Sequence, residues 1–289
     1  MSNTFKTFAI VGAGGAIGQP VLESLLASNA SKVVILTRPD STSTFKPHAK
    51  QTVEKVKPDD ANAVSAVLRK HGVEVLVSTV GFSGFEAQIH LVDAAKQAGV
   101  QLFVPSEFGS ATEGMTDEGP LAVKEKVAKH AQSIGLPIVR VYTGLFTEHV
   151  PRLGVVEETG RFLVLNPGDK PLSLTSLPDI GGFLAYALTS LPLGKLQNAT
   201  YRLEGERLSL SQIGTLYGKL KSVTVEHIDK FPDDLPKAAL LNYLGKELNS
   251  GRAVSSYDRV QGRDLGPGAL SNSLLEGHEW KTVNDVFRA

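Results

Sequence analysis

The chain has 289 residues, 42% hydrophobic and 21% charged, a composition typical of a soluble globular protein with a sizeable core. Thirty basic and thirty acidic residues cancel, so no net charge favours nucleic acid or an anionic membrane as a partner. The absence of cysteine excludes disulfides and thiolate chemistry, and no apolar run approaches the ~20 residues that span a bilayer. The first predicted strand begins near residue 7, leaving no room for a signal peptide, and we expect a cytoplasmic protein.

The first predicted elements are a strand, a glycine-rich turn and a helix. Thr7–Val11 is apolar and β-branched, and apolar residues recur at helical spacing from Val21, just after Pro20. A glycine turn between a strand and a helix N-terminus can cradle a pyrophosphate with its free N–H groups. An ordinary turn is the alternative, but this context favours dinucleotide binding by Gly12, Gly14, Gly15, Ala16, Ile17 and Gly18.

The end of the second strand, Lys32–Thr37, indicates which dinucleotide is bound. An NAD site usually carries an acid there for the ribose 2′-hydroxyl, whereas an arginine suits the 2′-phosphate of NADP. This chain has Arg38, with Lys46 downstream, and Asp40 comes slightly late for the acidic position. A solvated surface arginine is the alternative. The pattern favours NADPH as the cofactor.

Two further buried strands are predicted over residues 73–79 and 101–105, each followed by small or polar residues. A more exposed edge strand over 51–56 precedes them, and helices over 61–70 and 86–97 separate them. Ligands of a doubly wound sheet lie across the carboxyl ends of its strands. We therefore expect the residues at these ends to contact the cofactor, namely Thr79, Val80, Gly81, Phe82, Ser106, Glu107 and Phe108.

Lys124 interrupts the apolar face of a helix predicted over residues 120–134. Leu121, Lys124, Ala128 and Ala131 follow helical spacing, whereas Glu125 falls among the residues of the opposite side. A lysine that faces the interior loses solvation, so its pKa falls and it becomes a usable acid or base. The alternative is a snorkelling lysine whose ammonium reaches water.

The strand–helix alternation continues to a strand over 136–142 and predicts a Rossmann-type doubly wound parallel α/β sheet over residues 1–150. Residues 151–289 form a smaller, partly interwoven substrate-binding region. Within it we predict a hairpin formed by strands over 161–165 and 172–174, a helix capped by Asp179, and a strand over 200–203 that returns to the main sheet.

Other kinds of active site find little support. The seven histidines show no metal-ligand spacing and no Gly-x-Ser-x-Gly elbow occurs, so we expect neither a metal site nor acyl transfer. The residues after the 136–142 strand stand near the expected pocket mouth. They make Gly144, Phe146 and His149 candidates for substrate contact, with a surface position as the alternative for His149.

Several segments together resemble the isoflavone reductase-like group of the NmrA-like family, which are atypical short-chain dehydrogenases. They are the glycine turn ending in Gly18, Thr37-Arg38, Val-Ser-Thr-Val-Gly at 77–81, Gln88, Pro-Ser-Glu-Phe-Gly at 105–109, Val123-Lys124, and Gly-Leu-Pro at 135–137. The resemblance covers the first 150 residues. It implies NADPH-dependent reduction in secondary metabolism, with Arg38 and Lys46 on the 2′-phosphate and Lys124 assisting proton transfer at the substrate while NADPH delivers hydride.

The chain also departs from that group. Val100-Gln101 replaces the basic pair that the plant reductases usually carry, and residues 142–146 differ from their substrate-pocket sequence. Pro120 stands where a Tyr-x-x-x-Lys pair would place tyrosine. We expect a monomeric or homodimeric reductase of a small conjugated or aromatic metabolite. A non-catalytic NADP(H)-binding redox sensor and an epimerase or dehydratase remain the alternatives.

Overall fold

The computed structural model describes residues 4–116 and 119–288. The chain forms two units that are interleaved in sequence. The first contains the residues up to Glu107 together with Gly114–Val141 and Ile180–Tyr201; the second contains Phe108–Glu113, Tyr142–Asp179 and the residues from Arg202 onward. The predicted domain boundary at residue 150 stays a prediction. None of the helices in the described ranges is long and apolar enough to cross a lipid bilayer.

The strands of the described residues are β1 Thr7–Val11, β2 Lys32–Thr37, β3 Gln51–Lys55, β4 Val75–Ser78, β5 Leu102–Val104, β6 Val139–Tyr142, β7 Leu145–Phe146, β8 Arg161–Leu165, β9 Pro171–Thr175, β10 Ala199–Arg202, β11 Glu206–Ser209, β12 Thr224–Ile228, β13 Tyr257–Asp258 and β14 Arg263–Asp264. The helices are α1 Gly18–Ala27, α2 Ala61–His71, α3 Gln88–Ala98, α4 Ala122–Ser133, α5 Val150–Leu153, α6 Val156–Thr159, α7 Leu177–Ser190, α8 Leu193–Leu196, α9 Leu210–Lys221, α10 Ala238–Leu248 and α11 Val283–Arg288.

The first unit is built on a parallel five-stranded sheet in the order β3-β2-β1-β4-β5. In the central register, Phe8 of β1 lies between Val33 of β2 and Val75 of β4. An isolated parallel bridge joins Phe103 to Ile138 beside the sheet, and β10 pairs with β6. The predicted doubly wound α/β class is therefore confirmed, and the strand predicted over 200–203 pairs with the sixth strand.

Helices cover both faces of this sheet because its strand residues are apolar on both sides. On one face, strand residues such as Ala9 and Leu76 form a core with Val64 of α2, Leu91 of α3 and Val127 of α4. Successive strand side chains point to opposite faces of a sheet. The residues next to Ala9 in β1 and next to Leu76 in β4 therefore face the other layer, where α1 lies. Because β1, β4 and β5 are parallel, their carboxyl ends lie along the same edge of the sheet.

The second unit corrects the prediction of a hairpin over 161–165 and 172–174. β8 pairs in parallel with β12, whereas β9 pairs with β7 and β11, so β8 and β9 belong to different sheets. The Asn166-Pro167 peptide bond between them is cis. A core of Phe162, Leu174 and Ile213 lies beneath these strands. The local turn signal was correct, but both strands find their partners far along the chain.

The second unit also corrects the prediction that Asp179 caps a helix. α7 begins two residues earlier, at Leu177, and the Leu177 N–H donates to Glu148 Oε2 at 2.9 Å. Asp179 is buried in the first turn instead. Its carboxylate accepts from the Lys281 N–H at 2.9 Å and lies 3.0 Å from His278 Nε2. Asp179 therefore binds the C-terminal segment instead of capping the helix.

Candidate active site

The glycine turn after β1 is a tightly packed backbone structure. Gly12 has a φ of +84°, and its carbonyl accepts from the Gly15 N–H at 2.9 Å. A Cβ on Gly18 would lie 2.0 Å from the Gly12 oxygen, and a Cβ on Gly12 would lie 2.8 Å from the Thr79 oxygen. These approaches are too close for any side chain, so the turn requires glycine at both positions.

The turn leads into α1 with its backbone accessible. Gly14, Gly15 and Ala16 are exposed, whereas Ile17 is buried against the core. The first turn of α1 carries no acidic residue, and no side chain among the described residues caps it. The N–H groups and the positive end of the helix dipole are therefore available to an anion.

The strand ends beside this turn are joined by side-chain hydrogen bonds. Thr79 Oγ1 donates to the Val11 carbonyl at 2.8 Å, and Ser106 Oγ donates to the Val80 carbonyl at 2.7 Å. Gln88, from α3, accepts from the Ser106 N–H at 2.8 Å. These bonds bring the ends of β1, β4 and β5 together. The roles of Thr79, Val80, Gly81, Phe82 and Ser106 in cofactor binding remain predictions.

The loop after β2 lies close to the glycine turn. Arg38 and Lys46 are exposed, and Arg38 Nε lies 3.3 Å from Asp40 Oδ1. A Cβ on Gly14 would lie 2.7 Å from Ser43 Oγ, so this loop reaches the turn through Ser43. Sequence patterns did not single out Ser43, because a lone loop serine carries no distinguishing signal. Arg38 stays free enough to turn toward a phosphate, since its ion pair with Asp40 is solvent-exposed and weak.

Lys124 of α4 is buried, with 6% of its surface exposed. Its Nζ donates a short hydrogen bond to the Glu107 carbonyl oxygen and lies 4.8 Å from the centroid of the Phe85 ring. Burial lowers the pKa of Lys124 from the ordinary 10.5 to about 8, although the Glu107 carboxylate opposes the shift. The prediction that this lysine faces the interior is confirmed, and the snorkelling alternative is wrong.

Three further buried charged residues interact with one another, and one of them, Glu107, also contacts Lys124. Glu107, Glu125 and Arg140 are each less than 5% exposed. Arg140 Nη1 lies 2.7 Å from Glu125 Oε2 and 3.8 Å from Glu107 Oε1. The prediction that Glu125 faces away from the interior is wrong, because Arg140 of β6 provides a buried partner that helical spacing cannot reveal. The predicted contact of Glu107 with cofactor stays a prediction.

The remaining predicted site residues belong to the second unit. Phe108 is buried and has a φ of +27°, a backbone conformation that is strained for phenylalanine. Gly144 has a φ of +64°, and its Cβ would lie 2.2 Å from the Ser173 oxygen, so tight backbone packing requires this glycine. Phe146 and His149 contact each other edge to face at 5.2 Å, and burial lowers the pKa of His149. Their substrate contacts stay predictions.

Burial of Lys124 predicts how stability depends on pH. Below pH 8 the lysine is charged in both the folded and unfolded states, so folding carries the full cost of burying the charge. As pH rises from 8 toward 10.5, the folded state releases its proton first and the free energy of unfolding rises by about 3 kcal/mol. Lys124→Met should lack this gain.

Urea unfolding of both proteins at neutral pH and near pH 10 measures this difference. Relative to Lys124→Met, the original chain should gain about 3 kcal/mol at the higher pH. All other titrating groups are common to both proteins, so their effects cancel. A stability difference that does not change with pH would contradict the burial of a charged lysine.

Known proteins resemble this chain over nearly its full length. The model of the NmrA-like family matches residues 4–249. Phenylcoumaran benzylic ether reductase PT1 from Pinus taeda is 27% identical over 304 residues and 96% of each chain. Oxidoreductase BOA1 from Botryotinia fuckeliana is 28% identical, covering 96% of this chain and 93% of its own. The structure of leucoanthocyanidin reductase with NADPH from Vitis vinifera has a TM-score of 0.77 at 21% identity and 98% coverage of each chain, a likeness of fold.

Proposed function

This chain belongs to the NmrA-like family, and we propose that it is an NADPH-dependent reductase of a small conjugated or aromatic metabolite. Its relatives include proteins named as a benzylic ether reductase and an oxidoreductase. The fold alone does not decide between reduction and other uses of a bound dinucleotide. The proposal therefore depends on the residues at the carboxyl edge of the sheet.

The glycine turn and the end of β2 support NADPH as the cofactor. The exposed backbone at Gly14 and Gly15, before the N-terminus of α1, suits a pyrophosphate. Arg38 stands where an NAD site carries an acid, and its exposed guanidinium suits a 2′-phosphate. A leucoanthocyanidin reductase of the same fold was solved with NADPH. When bound, NADPH supplies a hydride.

The observation that carries the proposal is the buried ammonium of Lys124. With a pKa of about 8, this group is protonated at neutral pH and is a far better acid than an exposed lysine. Lys124 Nζ would donate its proton to the substrate atom that takes up the electron pair displaced from the reduced bond. The hydrogen bond to the Glu107 carbonyl holds Nζ in a fixed direction.

The aromatic residues beside Lys124 support a planar, unsaturated substrate. Phe85 lies under the ammonium, and its ring stands 5.0 Å from that of Phe82. Phe82, in the short 3-10 turn that follows β4, is 43% exposed, which is unusual for a phenylalanine. An exposed aromatic ring can stack on another conjugated ring with a gain of about 1 kcal/mol. The substrate class of the benzylic ether reductase relative agrees with this environment.

Consumption of NADPH by the purified chain tests this function. The substrates would be a panel of conjugated ketones, imines and phenolic ethers, each compared with a control without substrate. We expect at least one compound to be reduced. No turnover with any compound, together with strong discrimination between NADP⁺ and NADPH in binding, would support the redox-sensor alternative. Cofactor that is retained but never consumed during substrate conversion would support an epimerase or dehydratase.

Replacement of Arg38 tests the choice of cofactor. Arg38→Ala removes a charge-assisted contact to the 2′-phosphate, which should weaken NADPH binding about 10- to 100-fold and leave NADH binding unchanged. Fluorescence titration with both cofactors measures the two dissociation constants. Arg69→Ala, at an exposed arginine of α2, is the control. Equal loss for NADH and NADPH would show that Arg38 does not contact the 2′-phosphate.

A further inference from the structure

Glu107 interacts with the ammonium of Lys124 in two separate ways. The backbone carbonyl of Glu107 accepts a hydrogen bond from Lys124 Nζ. The Glu107 side chain supplies the negative charge that opposes the lowering of the pKa of Lys124. The carboxylate is completely buried, so water screens this charge poorly. A change in the Glu107 side chain can therefore alter the electrostatics of the site while the carbonyl contact is kept.

Arg140 interacts with both buried carboxylates, those of Glu107 and Glu125. Its guanidinium stands 3.8 Å from the Glu107 carboxylate but makes its closer contact, at 2.7 Å, with Glu125. Glu125 also accepts from the Gly114 N–H at 3.1 Å and lies 3.5 Å from Lys129 Nζ. Arg140 is thus shared between two buried carboxylates and lies nearer to Glu125 than to Glu107.

We propose that Glu107 and Arg140 are positioning residues that set the proton affinity of Lys124 through this buried series of charges. The inference rests on the proposed function, in which Lys124 donates a proton. A carboxylate with no neutralising partner would raise the pKa of Lys124, so the ammonium would be a weaker acid. A fully neutralised carboxylate would leave the pKa so low that the lysine would lose its proton near neutral pH. The Arg140 guanidinium, shared between Glu107 and Glu125, would keep the pKa of Lys124 between these two extremes.

The other charged groups near α4 are engaged elsewhere. His130, further along the helix, lies 2.7 Å from Asp93 of α3, and Lys96 of α3 donates to the Gly135 carbonyl at 3.1 Å. Glu107 is the one charged group found to act on the pKa of Lys124 among the described residues. The loop after β5, α4 and β6 therefore supply the charges that matter to this ammonium.

Two substitutions should shift the proton affinity of Lys124 in opposite directions. Glu107→Gln keeps the carbonyl and the side-chain volume but removes the negative charge, so the pKa of Lys124 should fall by about one unit. Arg140→Met leaves the Glu107 charge uncompensated, so the pKa should rise by a similar amount. Glu125→Gln frees Arg140 for Glu107 and should lower the pKa slightly.

Carbon-13 NMR of protein labelled at the lysine Cε measures this titration without substrate. The signal of Lys124 is assigned by its loss in Lys124→Met, and Lys126→Gln, which changes an exposed lysine on the same helix, is the control with no expected shift. Opposite shifts in Glu107→Gln and Arg140→Met would support the inference. If Arg140→Met does not fold, Glu125→Gln replaces it: a fall in the pKa of Lys124 smaller than that in Glu107→Gln would support the inference, and a rise would overturn it.

An unchanged pKa in Glu107→Gln, or shifts of the same sign in Glu107→Gln and Arg140→Met, would overturn the inference. That failure is distinct from failure of the proposed function. If substrate reduction depends on Lys124 but the pKa of Lys124 is unchanged in Glu107→Gln, only the positioning role of Glu107 is rejected. If the pKa of Lys124 shifts as expected but Lys124→Met still reduces the substrate, only the role of Lys124 as proton donor is rejected.

Discussion

Replacing Lys124 by methionine is expected to lower the rate of substrate reduction at neutral pH by about 100-fold or more, which is the usual contribution of a general acid. NADPH should bind within about twofold of its original affinity, because an interaction made only in the transition state affects turnover and not ground-state binding. Methionine fills nearly the same volume and needs no solvation, so the helix α4 should stay in place. Steady-state kinetics and cofactor titration measure both quantities.

Two further variants separate the proton from the charge. Lys124→Arg keeps a positive charge but cannot release a proton near neutral pH, so its turnover should stay low. Lys126→Met changes an exposed lysine on the same helix and should leave turnover unaffected. Near-normal turnover in Lys124→Met would remove the proposed role of this residue. Recovery in Lys124→Arg would indicate that the charge alone is needed.

Gly18→Ala is expected to destabilise the chain by about 3 kcal/mol, at the upper end of overpacking effects. The new Cβ would lie 2.0 Å from the Gly12 oxygen, a backbone atom that cannot move without opening the turn. The same distortion would displace the N–H groups at the start of α1, so NADPH binding should weaken at least about tenfold. Urea unfolding and cofactor titration measure the two effects.

Gly182→Ala is the matched control for this substitution. Gly182 also lies in a helix, and a Cβ there would meet nothing within 4 Å. Alanine should therefore be neutral or stabilise the helix by up to about 1 kcal/mol, with no change in NADPH binding. If Gly18→Ala behaved like this control, the close packing of the glycine turn would not be a requirement of the fold.

The first half of the fold could be predicted because its signals are local. Thr7–Val11 and Lys32–Thr37 are short β-branched runs, and their bounds match the observed strands. The motifs of the NmrA-like family lie in the same half, and the match over residues 4–249 confirms that resemblance. In the second half, β8 and β9 pair with strands distant in sequence, a choice that a local turn pattern does not encode.

The candidate site was only partly visible in the sequence. Helical spacing indicated that Lys124 faces inward, because its neighbours on that face are apolar. The same spacing misplaced Glu125, whose burial depends on an ion pair with Arg140 from another element. Phe85, whose ring lies beside the ammonium, was missed because one aromatic residue before a helix has no distinctive pattern. Partners from distant strands become apparent only in three dimensions.

Lys124 is proposed to supply the proton when the substrate is reduced. Its most direct test is the pH dependence of NADPH oxidation in a single turnover, which isolates chemistry from product release. The rate should be constant below the pKa of about 8 and fall about tenfold per pH unit above it, as the ammonium loses its proton. The slow residual reaction of Lys124→Met should lack this decline. The same decline in Lys124→Met, or its absence in the original chain, would contradict the account.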